Sequence, residues 1–102
     1  MTNITPEEVK KRMDAGETLN LVDVREPEEN AAFNIGGILL PLGRIQRMET
    51  REIDHLRDQE VICYCRSGGR SRNAAYILEQ MGYKNVRNLV GGMLAWQDRI
   101  SK

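Results

Sequence analysis

The residues best suited to chemistry lie together, in Cys65-Arg66-Ser67-Gly68-Gly69-Arg70-Ser71. Cys65 ends an apolar stretch of strand length, Val61-Ile62-Cys63-Tyr64, and Ala74, Ile77, Leu78 and Met81 follow at helical spacing. A cysteine at such a strand-to-helix turn faces converging backbone N–H groups and the unpaired N–H groups of the helix start, which together form an anion cradle. Gly68 and Gly69 are expected to supply the positive φ values that turn successive amides inward. Arg66 and Arg70 add two permanent charges with planar forks suited to oxyanions. Each feature favours the thiolate, so Cys65 is the candidate nucleophile. The same cradle would recruit a small anionic substrate and stabilise a negative leaving group. A thiolate formed this way needs no separate base, no metal and no cofactor.

The other candidates are weaker. Cys63 shares a strand face with Cys65 one pleat deeper and is expected to pack in the core. Residues i and i+2 of a strand have Cα atoms about 6.6 Å apart, at the upper limit for a disulfide, so a structural bridge is not expected. A metal site would have only Cys63, Cys65 and His55 to draw on, three ligands at an unfamiliar spacing. His55, the sole histidine, lies in a charged segment and reads as a solvated surface residue. Asp23 and Arg25 end an earlier strand on the side where the site should lie, and an ion pair supporting the loop is the preferred reading.

These residues need elements to position them. Thr5-Pro6-Glu7-Glu8 reads as a capped helix start, closed by Gly16. Leu19 to Val24 follows as a buried strand, and Pro27 to Phe33 as a short helix with acidic residues in its first turn. Ile38-Leu39-Leu40 is a second short strand. The charged stretch Arg44 to Asp58, with Ile45, Met48, Ile53 and Leu56, suits one or two surface helices. Val61 to Cys65 and Val86 to Val90 are further strands; a helix runs from the loop to about Met81, and another, carrying Trp96 as a core anchor, from Met93 to Ile100. Alternating strands and helices predict a single α/β domain over 1–102, with a mainly parallel sheet and helices on both faces. Ligands bind such sheets outside the carboxyl ends of the strands.

Composition limits the partners. The 102 residues carry 15 Lys+Arg and 15 Asp+Glu, so total charge points to neither nucleic acid nor an anionic membrane. The window Val61 to Arg87 nevertheless holds five basic residues (Arg66, Arg70, Arg72, Lys84, Arg87) against Glu79 alone. No apolar run has the length to cross a bilayer, and the opening residues lack a signal-peptide pattern, so the expected location is cytoplasmic.

The loop and three other blocks resemble the single-domain rhodanese family of sulfurtransferases. Leu21-Val22-Asp23-Val24-Arg25-Glu26-Pro27 is similar to its D-V-R strand end, and Pro41-Leu42 to its later P-L step. Cys65 to Ser71 is similar to its C-R-x-G-x-R-S active loop, and Gly91-Gly92-Met93-Leu94-Ala95-Trp96 to its G-G-x-x-A-W block. One block departs: Asn34, in Phe33-Asn34-Ile35-Gly36-Gly37-Ile38, stands where the family usually has His, and its capacity for local side-chain bonds would preserve the turn. The resemblance implies a five-stranded parallel sheet and a two-step transfer. In it the Cys65 thiolate takes the outer sulfur of a small anionic donor such as thiosulfate, sulfite leaves, and the persulfide passes its sulfur to cyanide or to a thiol or dithiol acceptor, small molecule or protein. The loop, Arg66 to Ser71, would cradle the persulfide. Three alternatives stay open. A Cys-dependent phosphatase or arsenate reductase would have Arg six positions after the cysteine, where this chain has Ser71. The others are a rhodanese-type binding module and a redox switch using both cysteines.

Overall fold

Thr5 caps the first helix reciprocally in the computed structural model, which describes residues 1–101. The Glu8 amide donates to Thr5 Oγ1 at 3.1 Å and the Thr5 amide to Glu8 Oε1 at 3.3 Å, with Pro6 opening helix α1 (Pro6–Asp14). The strands are β1 (Thr2–Ile4), β2 (Leu21–Asp23), β3 (Ile38–Leu39), β4 (Glu60–Tyr64) and β5 (Asn85–Leu89). Helices α2 (Pro27–Ala32), α3 (Leu42–Gln46), α4 (Gly69–Gln80) and α5 (Gly92–Arg99), with a 3-10 turn at Arg51–Leu56, complete the domain. All strand pairs are parallel, in the order β1-β5-β4-β2-β3, giving the expected α/β architecture.

Several expected boundaries shift. β1 was not read from the sequence: Thr2-Asn3-Ile4 buries only Ile4, and its pairing with Arg87, Asn88 and Leu89 is entirely long-range. The strand read over Leu19 to Val24 is shorter, Leu21–Asp23, with the Asn20 carbonyl accepting from the Ile62 amide at 2.8 Å and its side chain donating to the Glu60 carbonyl at 2.9 Å at the strand's start. The charged segment yields α3 and the 3-10 turn, whose Ile45, Ile53 and Leu56 are buried as expected. Met48 instead turns outward, 66% exposed in left-handed backbone (φ 60°), between the two.

Alternation along β4 divides the core. Val61, Cys63 and Cys65 face one cluster with Ile45, Ala74 and Leu78, while Ile62 and Tyr64 face another with Val9, Met93 and Trp96. Helices α3 and α4 therefore cover one side of the sheet, and α1 and α5 the other. Both cysteines lie on the α4 side.

Strand order also places the site. From β2 the chain moves outward to β3, whereas from β4 it moves the opposite way to β5. Adjacent strands whose connections diverge leave a crevice at their carboxyl ends. Asp23 ends β2 and Cys65 follows β4, so this crevice brings together the D-V-R block and the cysteine loop.

Candidate active site

Cys65 sits at the floor of the loop, 1% exposed. Its Sγ accepts from the Gly68 amide at 3.1 Å, the Ser71 amide at 3.4 Å and the Ser71 hydroxyl at 3.3 Å. The loop reverses at Gly68, whose φ of 107° is left-handed, and α4 starts at the next residue, placing Ser71 in its first turn. The expectation for Gly69 is corrected: its φ is not positive and a Cβ there would meet nothing within 4 Å, because it is already a helical residue. Only Gly68 makes the reversal.

Burial alone would push the Cys65 thiol up. The Ser71 hydroxyl and the amides of Ser71, Gly68 and Ser67 outweigh it and hold the thiol below its ordinary value. Hydrogen bonds aimed at sulfur thus favour the thiolate, and the nearby Arg70 guanidinium interacts with it through charge. Cys63 lacks such donors, and burial, followed by the neighbouring Cys65 charge, pushes it up to about 12. Removing one donor should therefore be measurable. Ser71→Ala is expected to lower the Cys65 thiolate fraction at neutral pH by roughly tenfold or more, the worth of one hydrogen bond to a charged group. Thiolate ultraviolet absorbance during a pH titration checks this, with the wild-type midpoint below the free-thiol value of about 8.5 and the variant's displaced upward.

The G-G-x-x-A-W block clasps the loop from behind. The first free amides of α5 donate to it, Met93 to the Cys65 carbonyl and Leu94 to the Arg66 carbonyl, both at 2.9 Å. This approach requires Gly92, since a Cβ there would stand 2.4 Å from the Cys65 carbonyl oxygen and 2.7 Å from the Arg66 carbonyl.

The two loop arginines have different surroundings. Arg66 is exposed, has no ion pair among the described residues, and lines a cavity of about 200 Å³ beside the loop. Arg70 is engaged: its guanidinium grips Glu29 of α2 through two bonds, Nη1 to Oε1 at 2.7 Å and Nη2 to Oε2 at 2.8 Å. That pair holds the Glu29 carboxyl down at about 2, so it stays ionised at any ordinary pH. The basic window is similarly offset elsewhere, Arg87 by Glu60 and Lys84 by Asp58. Of the window's five basic residues, Arg66 and Arg72 have no ion pair among the described residues, and only Arg66 of these two lines the cavity beside the loop.

Asp23 and Arg25 form the expected ion pair, buried, with Nε to Oδ1 at 2.9 Å and Nη2 to Oδ2 at 2.8 Å. Arg25 also donates to the Phe33 carbonyl at 2.6 Å and Asn30 to Asp23 at 2.9 Å, so the pair pins the C-terminal half of α2 to the end of β2. It thereby fixes the helix that carries Glu29. Asn34 makes the local bonds expected of it, to the Asn30 carbonyl at 2.9 Å and from the Gly36 amide at 2.8 Å. His55 is exposed on the 3-10 turn. Two residues of the site were not read from the sequence. Asn88 is buried on β5 with its Oδ1 facing the Ser71 hydroxyl, a second acceptor that competes with Cys65 Sγ for the hydroxyl proton; its only signal in the sequence is an amide inside an apolar strand. In the sequence Glu29 carries only the signal of a helix-start acid.

Fold and site together define the rhodanese class of α/β proteins. The chain belongs to the rhodanese-like domain family, whose model matches residues 5–99. It is 40% identical over 97 residues to a sulfurtransferase of Allochromatium vinosum, covering 94% of this chain and 88% of that protein. It is 37% identical over 94 residues to the putative sulfur carrier protein YrkF of Bacillus subtilis, covering 91% of this chain and spanning about half (49%) of that longer protein. A solved rhodanese-like domain protein of Staphylococcus aureus superposes with a TM-score of 0.83 at 29% identity, covering 98% of this chain and 95% of that one. The chain is thus a rhodanese-type member of the sulfurtransferase family. Among the described residues no helix is long and apolar enough to cross a membrane.

Proposed function

We propose that the protein moves sulfane sulfur from thiosulfate or a related donor, through a persulfide on Cys65, to a thiol acceptor, with cyanide serving in an assay. The observation that carries this reading is the set of donors converging on Cys65 Sγ from Gly68 and Ser71. They favour the thiolate that must attack, and they remain in place for the anionic persulfide that forms. In the first half-reaction a new Sγ–S bond forms as the donor's S–S bond breaks, and the bonding pair leaves on sulfite. In the second, the acceptor thiolate takes the outer sulfur and Cys65 leaves as thiolate. Asp23 and Arg25 act through α2 as positioning residues. We place the reaction in a reducing, cytoplasmic setting, in keeping with two cysteines that are both unbridged. A thiol acceptor also accords with the sulfur carrier name of the Bacillus subtilis relative.

Intact-protein mass spectrometry tests the reading. After exposure to a sulfane donor the wild type is expected to gain one sulfur atom, removable by dithiothreitol, whereas Cys65→Ser gains none. A wild type that gains no sulfur from any donor, or that releases phosphate rapidly from an aryl phosphate, would overturn it.

A further inference from the structure

We infer that Glu29 sets the donor class, tuning the site to a singly charged sulfane compound, such as a thiol persulfide or a thiosulfonate, rather than to the dianion thiosulfate. The inference rests on the sulfurtransferase reading and deepens it.

Charge around the loop carries the first part of the argument. Of the cations at the crevice, Arg25 is consumed by Asp23 and Arg70 by Glu29, each through a two-bond grip. Glu29 is itself held, since its Oε1 also accepts from the Glu26 amide at 3.1 Å. Its carboxylate therefore stays at the wall of the cavity that Arg66 also lines. Arg66 is the one cation lining that cavity with no ion pair among the described residues, and it faces a site that already holds the Cys65 thiolate and Glu29. A second negative charge on the donor would meet Glu29 with no further free guanidinium fork to answer it.

The cavity's other walls carry the second part. Ala32, Phe33, Met93 and Leu94 line it beside Arg66, with Leu94 44% exposed. Such walls suit an uncharged organic group, which thiosulfate lacks and a thiosulfonate or an alkyl persulfide provides. One end of the donor then meets Arg66 and the loop amides, and the other the apolar wall.

The transfer step balances for this donor class. With methanethiosulfonate, CH3–SO2–S⁻, the Cys65 thiolate attacks the terminal sulfur. The Sγ–S bond forms, the S–S bond breaks, and the bonding pair leaves on methanesulfinate. Cys65 is oxidised to the persulfide level as the sulfonyl sulfur is reduced to sulfinate, and no proton moves. A thiol persulfide reacts alike, releasing its thiolate.

The test compares methanethiosulfonate with thiosulfate, which share the terminal sulfur and differ in one charge. The wild-type kcat/KM is expected to favour methanethiosulfonate by about tenfold or more, and Glu29→Gln to move the preference toward thiosulfate by about tenfold. A wild type preferring thiosulfate, or a preference shifted less than about threefold in the variant, would overturn the inference. Should the variant misfold by circular dichroism, salt dependence of the wild type decides. Between about 0.02 and 0.3 M salt, kcat/KM for thiosulfate should change by less than about twofold, whereas a steep fall would mark a net cationic site and sink the idea. Loading of Cys65 by either donor, read by intact mass, keeps the two readings apart. Sulfur on Cys65 without a shift in preference defeats the Glu29 inference alone, and no sulfur from either donor defeats the sulfurtransferase reading.

Discussion

Cys65→Ser is expected to lower sulfur transfer by at least about a thousandfold, to the level of the uncatalysed reaction. Serine preserves the size of the side chain and can accept the same amide hydrogen bonds, so the fold should persist. It fails chemically, because its hydroxyl stays protonated at neutral pH and an oxygen nucleophile forms no persulfide. Cys63 cannot substitute. It is fully buried one pleat deeper, and its thiol is pushed up to about 12, leaving almost no thiolate at neutral pH. Steady-state turnover with a sulfane donor and cyanide checks the loss. An unchanged melting temperature would show that it is chemical rather than structural.

Gly92→Ala should be nearly as damaging for a different reason. The added methyl would stand 2.4 Å from the Cys65 carbonyl oxygen, a backbone atom that cannot swing aside, and alanine would be strained at φ 55°. Either α5 withdraws or the loop shifts. In both cases the Met93 and Leu94 amides lose the carbonyls that hold Cys65 and Arg66 in place. A cost of about 2–4 kcal/mol follows, or a melting temperature lower by roughly 10–25 °C for a domain of this size. Donor turnover should fall with it, and Gly69→Ala, where nothing lies within 4 Å of the added methyl, is the matched control expected to keep its stability within about 1 kcal/mol. Thermal melts of the pair provide the measurement.

What the sequence disclosed was mainly local. The loop from Cys65 to Ser71 lies between a β-branched run and a helical repeat, so strand end, turn and helix start could be read from adjacent residues. The Thr5 cap and the Asp23–Arg25 pair were legible for the same reason, their partners being two or three positions apart. What could not be read depends on elements meeting in space. Nothing in Glu29 announces that it will grip Arg70, 41 positions later, or in Asn88 that it will reach Ser71 from the next strand. Arg70 accordingly read as a free cation when it is a paired one. Gly68 and Gly69 are indistinguishable in the sequence, and only the start of α4 at Gly69 separates the one that reverses the chain from the one that is helical. β1 escaped because three residues with one buried side chain have no period to detect.

The clasp of α5 on the loop also bears on how the parts of the site are divided along the chain. Gly68 and Ser71 lie close to Cys65 in sequence, so β4 and the start of α4 can gather donors around the sulfur with little loop-closure cost. The carbonyls of Cys65 and Arg66, however, are held by Met93 and Leu94, almost thirty positions later and beyond β5. The contacts that favour the thiolate are therefore local in the chain, whereas those that hold the pocket wall are remote from it. Loosening α5 would open the wall while leaving the local donors on the sulfur, so the acidity of the thiol and its choice of partner rest on separate parts of the domain.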